Sequence, residues 1–337
     1  MTITAVIVQY DSKAEEIRAA VDGLLEQTQV PDEILVIDNG PREGLAEELG
    51  DYPPMVRVIA SGSNLGYAGG VNLAAEHASG EYLLCLNPDA HAEADCVAQL
   101  TAVADADAKI AIVGAQILLA DGLTRNAGAN PFHPTGISPS GGYGEPREHG
   151  KARQVAVVSG ACCLIRRAAF ATLGGFVGEL FLYYDDVDLA WRARIAGLEV
   201  VYCPEAVVSH SYDFARRGRK WFYLERNRLF SVLANYEAKT LMLLAPLLLA
   251  TELGLLVVAA RDGWLSQKLQ SYGSLFSLRR KLLDQRRSVQ NSRLSNDAAL
   301  FDLFDDRLDS ALLSRRGAAF ANLMCAPYLH LLRRLIR

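Results

Sequence analysis

Several signatures are missing from this chain of 337 residues, and each absence removes a class of function. No glycine occurs from Gln9 to Ile17, so no G-x-G-x-x-G turn follows the first apolar run. That disfavours a dinucleotide-binding dehydrogenase. No G-x-x-x-x-G-K-[ST] occurs, which removes the P-loop NTPases, and no G-x-S-x-G elbow marks a hydrolase. The six cysteines (85, 96, 162, 163, 203 and 325) include no C-x-x-C pair. Most sit in apolar stretches, as expected of reduced core thiols. The start, Thr2-Ile3-Thr4-Ala5-Val6-Ile7-Val8, has no basic leader and no cleavage site. It reads as a strand rather than a signal peptide, and the expected location is the cytoplasm or the cytoplasmic face of a membrane.

What is present is apolar and unevenly charged. Half of the residues are hydrophobic, and the mean hydropathy of +0.10 is high for a soluble enzyme. The net charge of −5 hides a split: residues 1–213 hold 13 Lys+Arg against 29 Asp+Glu (−16), and residues 214–337 hold 21 against 10 (+11). An acidic front suits a metal and carboxylate chemistry. The basic, leucine-rich back suits an anionic membrane surface better than nucleic acid.

The front alternates strand and helix patterns. Ala5–Val8, Ile34–Ile37, Val56–Ile59 and Tyr82–Leu86 read as strands. Ile17, Ala20, Val21, Leu24 and Leu25 mark one helix face, and a second helix runs through His77. This βαβ repetition implies a mostly parallel sheet, with ligands at the carboxyl ends of its strands. Gln9-Tyr10-Asp11, Asp38-Asn39, Asn64 and Asn87/Asp89 occupy those ends. Residues 121–153 read as a long loop, Val155–Val158 as a strand, and Glu199–Tyr202 as a short strand followed by a run to His210. Leu241–Ala260 is long enough to span a bilayer. Glu252 at its middle and a helix-breaking Pro246 favour a buried or half-embedded helix pair instead. The final Tyr328–Arg337 is basic and amphipathic, suited to a headgroup layer or to an ordinary surface helix.

Phe181-Leu182-Tyr183-Tyr184-Asp185-Asp186-Val187-Asp188-Leu189-Ala190-Trp191-Arg192 is the most informative segment. Three carboxylates within four residues repel one another, which exceeds what a helix start requires. A site that removes a proton from a hydroxyl has a use for such a group. Taken singly, Asp38, Asp89, His210 and the Asn64-Leu65-Gly66 turn each have an ordinary structural explanation.

Taken together and in order, these stretches resemble the bacterial family 2 glycosyltransferases, in their rhamnosyltransferase-like branch. The motifs are Val6–Tyr10, Val36–Gly40, Asn64–Gly70, Leu86–Asp89, Ser159–Ala161, Gly174–Phe176, Phe181–Arg192 and Tyr223–Arg228. They cover residues 3–230. The resemblance implies a GT-A fold, which is α/β with a Rossmann-like, mostly parallel sheet flanked by helices. The implied domains are a catalytic domain over 1–235 (nucleotide-sugar half 1–120, acceptor half 121–235) and a helical, membrane-associating region over 236–337.

It also implies roles. Gln9, Tyr10, Asp38, Asn39, Asn64, Gly66, Gly69 and Asn87 would line the donor nucleotide, and Asp89 and His210 would ligate Mg2+ or Mn2+. Asp186 would be the base that deprotonates the acceptor, Asp185 its neighbour, and Asp188 a supporting helix-start residue. Arg216, Arg217, Arg219, Lys220 and Arg226 would meet an acceptor or diphosphate. Asn87 departs from the family pattern by replacing the first acid of a D-x-D, which removes one charge from the metal site.

The expected activity is an inverting, metal-dependent transfer of a sugar from a nucleotide-diphosphate donor, with dTDP-rhamnose the first candidate and a UDP-hexose or UDP-galactofuranose the alternative. The expected acceptor is a polyprenyl-diphosphate-linked glycan or polysaccharide in cell-envelope synthesis, at the inner membrane surface. Two other classes compete. A sugar-nucleotide pyrophosphorylase needs a Gly-rich basic loop after the first strand, and Gln9–Lys13 lacks one. A non-catalytic glycan-binding protein has no need of the carboxylates.

Overall fold

The computed structural model describes all residues except 41–43, 212–217, 308–314 and 337; the side chains of 315–321 and 324 are likewise left out. Its contacts divide the chain into two units. The first comprises residues 1–130, 140–193 and 198–216, and the second residues 131–139, 194–197 and 217–337.

The first unit opens with β1 (Ile3–Gln9), α1 (Ala14–Leu25), β2 (Glu33–Asp38), α2 (Leu45–Glu48), β3 (Val56–Ala60), α3 (Gly66–His77) and β4 (Tyr82–Leu86). It continues with β5 (Ala90–Ala92), α4 (Cys96–Asp105), β6 (Ile110–Leu118), β7 (Arg125–Ala127), β8 (Arg153–Gln154), β9 (Cys162–Arg166), α5 (Arg167–Thr172), α6 (Asp185–Ile195) and β10 (Glu199–His210). The sheet order is β3-β2-β1-β4-β9-β6-β10-β5, with β7 added on β6 and β8 on β10.

Strands β3-β2-β1-β4 are parallel, with Gln9, Asp38 and Ala60 in register at one end, and β6 and β10 form a second parallel pair. β9 then runs antiparallel between β4 and β6, so the sheet as a whole is mixed. Alternation along β1 separates two packed faces. Ile3, Ala5 and Ile7 join Ile17, Val21 and Leu24 of α1 and Val97 and Leu100 of α4 in one core. Val8 meets α3 on the other face, where a Cβ on Gly70 would collide with its side chain.

Two local expectations are corrected, and one strand was not expected at all. Val155–Val158 is buried but is not a strand. Only Val157 makes an isolated bridge, to Asn130, and the strand falls at Cys162–Arg166. The run fills space against Gly114 with Val158 rather than joining a ladder, and periodicity cannot separate these outcomes in four apolar residues. Glu199–Tyr202 and the run to His210 form one strand, bulged between Cys203 and Val207. The longest fully buried strand of the unit, β6, escaped the sequence reading altogether.

The second unit is helical. It contains α7 (Lys220–Asn235), α8 (Ala238–Arg261), α9 (Leu265–Ser277), α10 (Arg279–Asn291), α11 (Asp297–Phe301) and α12 (Arg315–Ile336). By its contacts α7 groups with these helices, whereas the sequence expectation counted it with the catalytic domain. The strap 131–139 belongs here too. Phe132 packs on Phe304 at 4.6 Å between ring centroids, Tyr236 Oη donates to the Pro134 carbonyl at 2.8 Å, and Arg228 Nη1 donates to that of Thr135 at 3.0 Å.

Pro246 does not end α8, contrary to expectation. Met242 and Pro246 both lie on the exposed face, so the carbonyl that loses its partner there is at the surface rather than in the core. Glu252 is held by Arg228 and Lys268 and by Tyr272 Oη at 2.6 Å. Glu225 accepts from the same Arg228 (2.8 Å) and Lys268. These four charges tie α7, α8 and α9 together.

Candidate active site

The strand ends of the first unit gather the expected donor residues. Gln9 Nε2 donates to Asp38 Oδ1, which also accepts the Gly40 N–H at 2.9 Å. Asn39, 3 % exposed, donates through Nδ2 to the Gly66 carbonyl at 2.9 Å, fastening the end of β2 to the start of α3. Asn64 Oδ1 accepts the Gly66 N–H at 2.9 Å. Tyr10 is half exposed beside them, and Gly69 sits in the first turn of α3, where a Cβ would press on Leu65.

Asp89 and His210 are 121 positions apart, and strand register brings them together. β5 pairs antiparallel with β10, with Ala90 opposite His210. Asp89, one residue earlier, places Oδ1 2.9 Å from His210 Nε2, and its carbonyl accepts the Ser211 N–H at 3.1 Å. Asn87 Nδ2 lies 3.3 Å from the same imidazole nitrogen. Among the described residues no group of three or more His, Cys, Asp or Glu could hold a metal. One carboxylate and one imidazole nevertheless fit a divalent cation that takes its other ligands from water and substrate phosphates, the usual habit of Mg2+.

The acidic segment is fixed by the antiparallel pair β4–β9. Leu86 lies opposite Cys162, and the Asn87 N–H donates to the Ala161 carbonyl at 2.9 Å. The neighbouring Gly160 donates its N–H to Asp186 Oδ2 at 2.8 Å, and Asp186 Oδ1 accepts the Val187 N–H at 2.8 Å. A Cβ at Gly160 would sit 3.2 Å from that of Asp186, so a larger residue would push the carboxylate away. Tyr67 Oη donates to the Gly160 carbonyl at 2.8 Å. Asp188 is fully buried and accepts Arg192 Nε at 2.7 Å, while the same guanidinium donates to the carbonyls of Leu173 (2.7 Å) and Gly175 (2.9 Å). Asp188 therefore holds the Gly174–Phe176 turn.

Burial, reinforced by the charges of Asp186 and Asp188, pushes the Asp185 carboxyl well above the ordinary carboxylate range. Burial also raises Asp186, but the N–H groups of Gly160 and Val187 oppose the shift. The pair titrates as a unit. The N–H groups that hydrogen-bond Asp186 favour its ionised form.

Before this pair the backbone is strained. Phe181, Tyr183 and Tyr184 have φ of 65°, 63° and 70°. Phe181, with ψ −58°, is the centre of a γ-turn of the uncommon positive-φ form, closed by Leu182 N–H to the Leu180 carbonyl at 2.7 Å. The Phe181 carbonyl accepts the Ala68 N–H at 3.3 Å. Gly66, at φ +68°, lies so close to that carbonyl that a Cβ would collide with it. The donor-side loop and the acidic segment are thus pressed together. Tyr67 and the γ-turn were not foreseen as site features, and the only hint was Tyr67 itself, whose hydroxyl a phenylalanine would lack.

The described basic candidates, Arg219, Lys220 and Arg226, lie in the second unit. Arg219 stacks over Phe222 at 4.2 Å, Lys220 opens α7, and the buried Arg226 stacks over Phe222 and Tyr223 with Nε 2.9 Å from Asn227 Oδ1. Arg216 and Arg217 fall outside the described residues.

The model of the glycosyl transferase family 2 matches residues 4–174, half of the chain. The chain belongs to that family. Among curated relatives, the N-acetylglucosaminyl-diphospho-decaprenol L-rhamnosyltransferase of Mycobacterium tuberculosis is 31 % identical over 208 residues, which are 54 % of this chain and 67 % of that one. The O-antigen chain rhamnosyltransferase RfbN of Salmonella typhimurium is 26 % identical over 199 residues, 58 % of this chain and 62 % of its own. Among solved structures, GalNAc-T7 with UDP, GalNAc and Mn2+ superposes with a TM-score of 0.61 at 17 % identity, covering 73 % of this chain and 50 % of that one. The mannosyltransferase PcManGT of Pyrobaculum calidifontis, with GDP-Man and Mn2+, gives 0.50 at 16 % identity over 99 % of this chain and 84 % of its own. These neighbours establish the GT-A-like mixed α/β fold. The family membership makes the protein a glycosyltransferase of the rhamnosyltransferase-like kind.

Proposed function

We propose that this glycosyltransferase moves L-rhamnose from dTDP-rhamnose to a lipid-diphosphate-linked glycan, with inversion at the anomeric carbon and Asp186 as the base. The arrangement of Asp186 carries this reading. Its carboxylate is fixed by two N–H groups and is linked through Gly160, Ala161 and Asn87 to the strand end that holds Asp89 and His210. The donor and acceptor are inferred from the two rhamnosyltransferases among the relatives.

In the proposed reaction the acceptor oxygen attacks the anomeric carbon as its proton passes to Asp186. A new C–O bond forms, the bond from the anomeric carbon to the diphosphate oxygen breaks, and the nucleoside diphosphate departs with that electron pair. Asp185, beside it, orients the acceptor or the base. Gln9, Asp38 and Asn39 hold the nucleoside end, and Tyr67 fixes Gly160 and through it Asp186. Asp89 and His210, with Asn87 beside them, would hold Mg2+ or Mn2+, which when bound offsets the charge that collects on the diphosphate.

The test is turnover of the full chain with dTDP-rhamnose, UDP-hexoses and UDP-galactofuranose, each with Mg2+ or Mn2+ and a polyprenyl-diphosphate-linked acceptor. Release of dTDP with net transfer is expected. Transfer only from a UDP-sugar replaces the donor, a product with retained anomeric configuration overturns the mechanism, and full activity in Asp186→Asn removes the base.

A further inference from the structure

α8 has two faces of different character. Leu244, Leu247, Leu255, Val258 and Ala259 are buried, whereas Met242 (71 % exposed), Leu249 (62 %), Leu253 (57 %) and Val257 (71 %) are not. The residues between the exposed ones, Ala245, Pro246, Ala250 and Gly254, are exposed as well. The open face is therefore an unbroken apolar stripe at helical spacing. Lys239 and Arg261 are exposed at its two ends. α12 packs alongside, with Tyr328 Oη donating to the Leu243 carbonyl, and it exposes Leu323, Leu331 and Leu335 together with Arg334.

We infer that α8 lies in the plane of an anionic phospholipid leaflet, seating Met242, Leu249, Leu253 and Val257 among the lipids without crossing the bilayer.

Length does not decide between lying and spanning. A helix of 24 residues extends about 36 Å, enough to cross a hydrocarbon layer of about 30 Å. Glu252 decides. Its carboxylate is held inward by Arg228 of α7 and by Lys268 and Tyr272 of α9. Were α8 to span, α7 and α9 would have to follow with their charged side chains, and neither meets the length and apolarity that a span requires. The bonded network instead anchors the polar side of α8 in protein and leaves the apolar side for lipid. Charge selects the occupant. Residues 214–337 carry +11, which complements an anionic leaflet and would oppose the same face of a second copy. The inference rests on the helical unit alone, so it and the proposed transfer reaction can fail separately.

Flotation of the full chain with phosphatidylcholine vesicles containing about 30 % phosphatidylglycerol tests it, against vesicles of phosphatidylcholine alone. The wild type is expected to float with the anionic vesicles, and Leu249→Glu/Leu253→Glu/Val257→Glu to bind them at least about tenfold less. Those positions are exposed, and an unchanged thermal transition would show that the variant is folded. Two single variants, Met242→Trp and Val257→Trp, then report depth by quenching with lipids brominated along the chain. Equal, shallow quenching is expected. Failure of the wild type to float, equal binding by the folded triple variant, or deep and unequal quenching of the two tryptophans would each overturn the inference. So would a dimer in detergent-free buffer that the triple variant converts to monomer, since a second copy would then own the face.

Discussion

The two units each hold a pair of carboxylates, one buried and one half-buried, and they treat them in opposite ways. In the helical unit Glu225 and Glu252 are matched by Arg228 and Lys268. These cations outweigh the effect of burial, holding Glu225 below its usual range and Glu252 down at about 2. In the first unit Asp186 accepts two backbone N–H groups, neither Asp185 nor Asp186 is ion-paired among the described residues, and both carboxyls are raised. Neutralised charges hold helices together. Charges left in tension are free to take a proton. The contrast separates architecture from chemistry within one chain.

The sharpest way to break that comparison is Asp186→Asn. Turnover should fall by about 10²–10⁴ with the fold intact, measured as nucleoside diphosphate release beside circular dichroism. Next is Lys268→Met, which leaves the buried Glu225 and the half-buried Glu252 short of a cation and should cost about 3–5 kcal/mol in denaturant unfolding. A loss below about 1 kcal/mol would mean that the network is ornamental rather than structural. Gly66→Ala places a side chain at positive φ against the Phe181 carbonyl and should cost about 1–3 kcal/mol, lowering activity with stability.

The smallest effect has the opposite sign. A carboxyl whose folded value is raised weakens the fold at pH above that value, and the penalty fades as pH falls toward its unfolded value. Asp185→Asn should therefore stabilise by about 0.5–2 kcal/mol at neutral pH, with the gain vanishing in acid, as followed by thermal melts across pH. Glu252 should behave in reverse. Its contribution is complete above its unfolded value of about 4.3 and is lost as pH falls towards about 2.

Much of this was legible in the residues, for reasons that can be named. β1, β2 and β4 are buried along nearly their whole length, so continuous apolar runs marked them. α1 displayed a single apolar face. Asp89, His210 and Asp186 could be nominated from ordered motifs. Their meeting depends on the β5–β10 register and on the β4–β9 pairing, neither of which leaves a local trace. Glu252 looked like a misplaced charge within an apolar helix because its partners stand 24 and 16 residues away. The γ-turn at Phe181 was invisible for a similar reason, since a non-glycine residue at positive φ is maintained by its surroundings rather than by its own preference.

The clamp between Phe181 and α3 has a consequence for anion binding. A helix start ordinarily presents unpaired N–H groups that suit a phosphate. Here the Gly66 N–H is taken by Asn64 and the Ala68 N–H by Phe181. The start of α3 has spent those two donors on its own chain, so on the proposed reaction the departing diphosphate would look to a cation at Asp89 and His210 for its counter-charge.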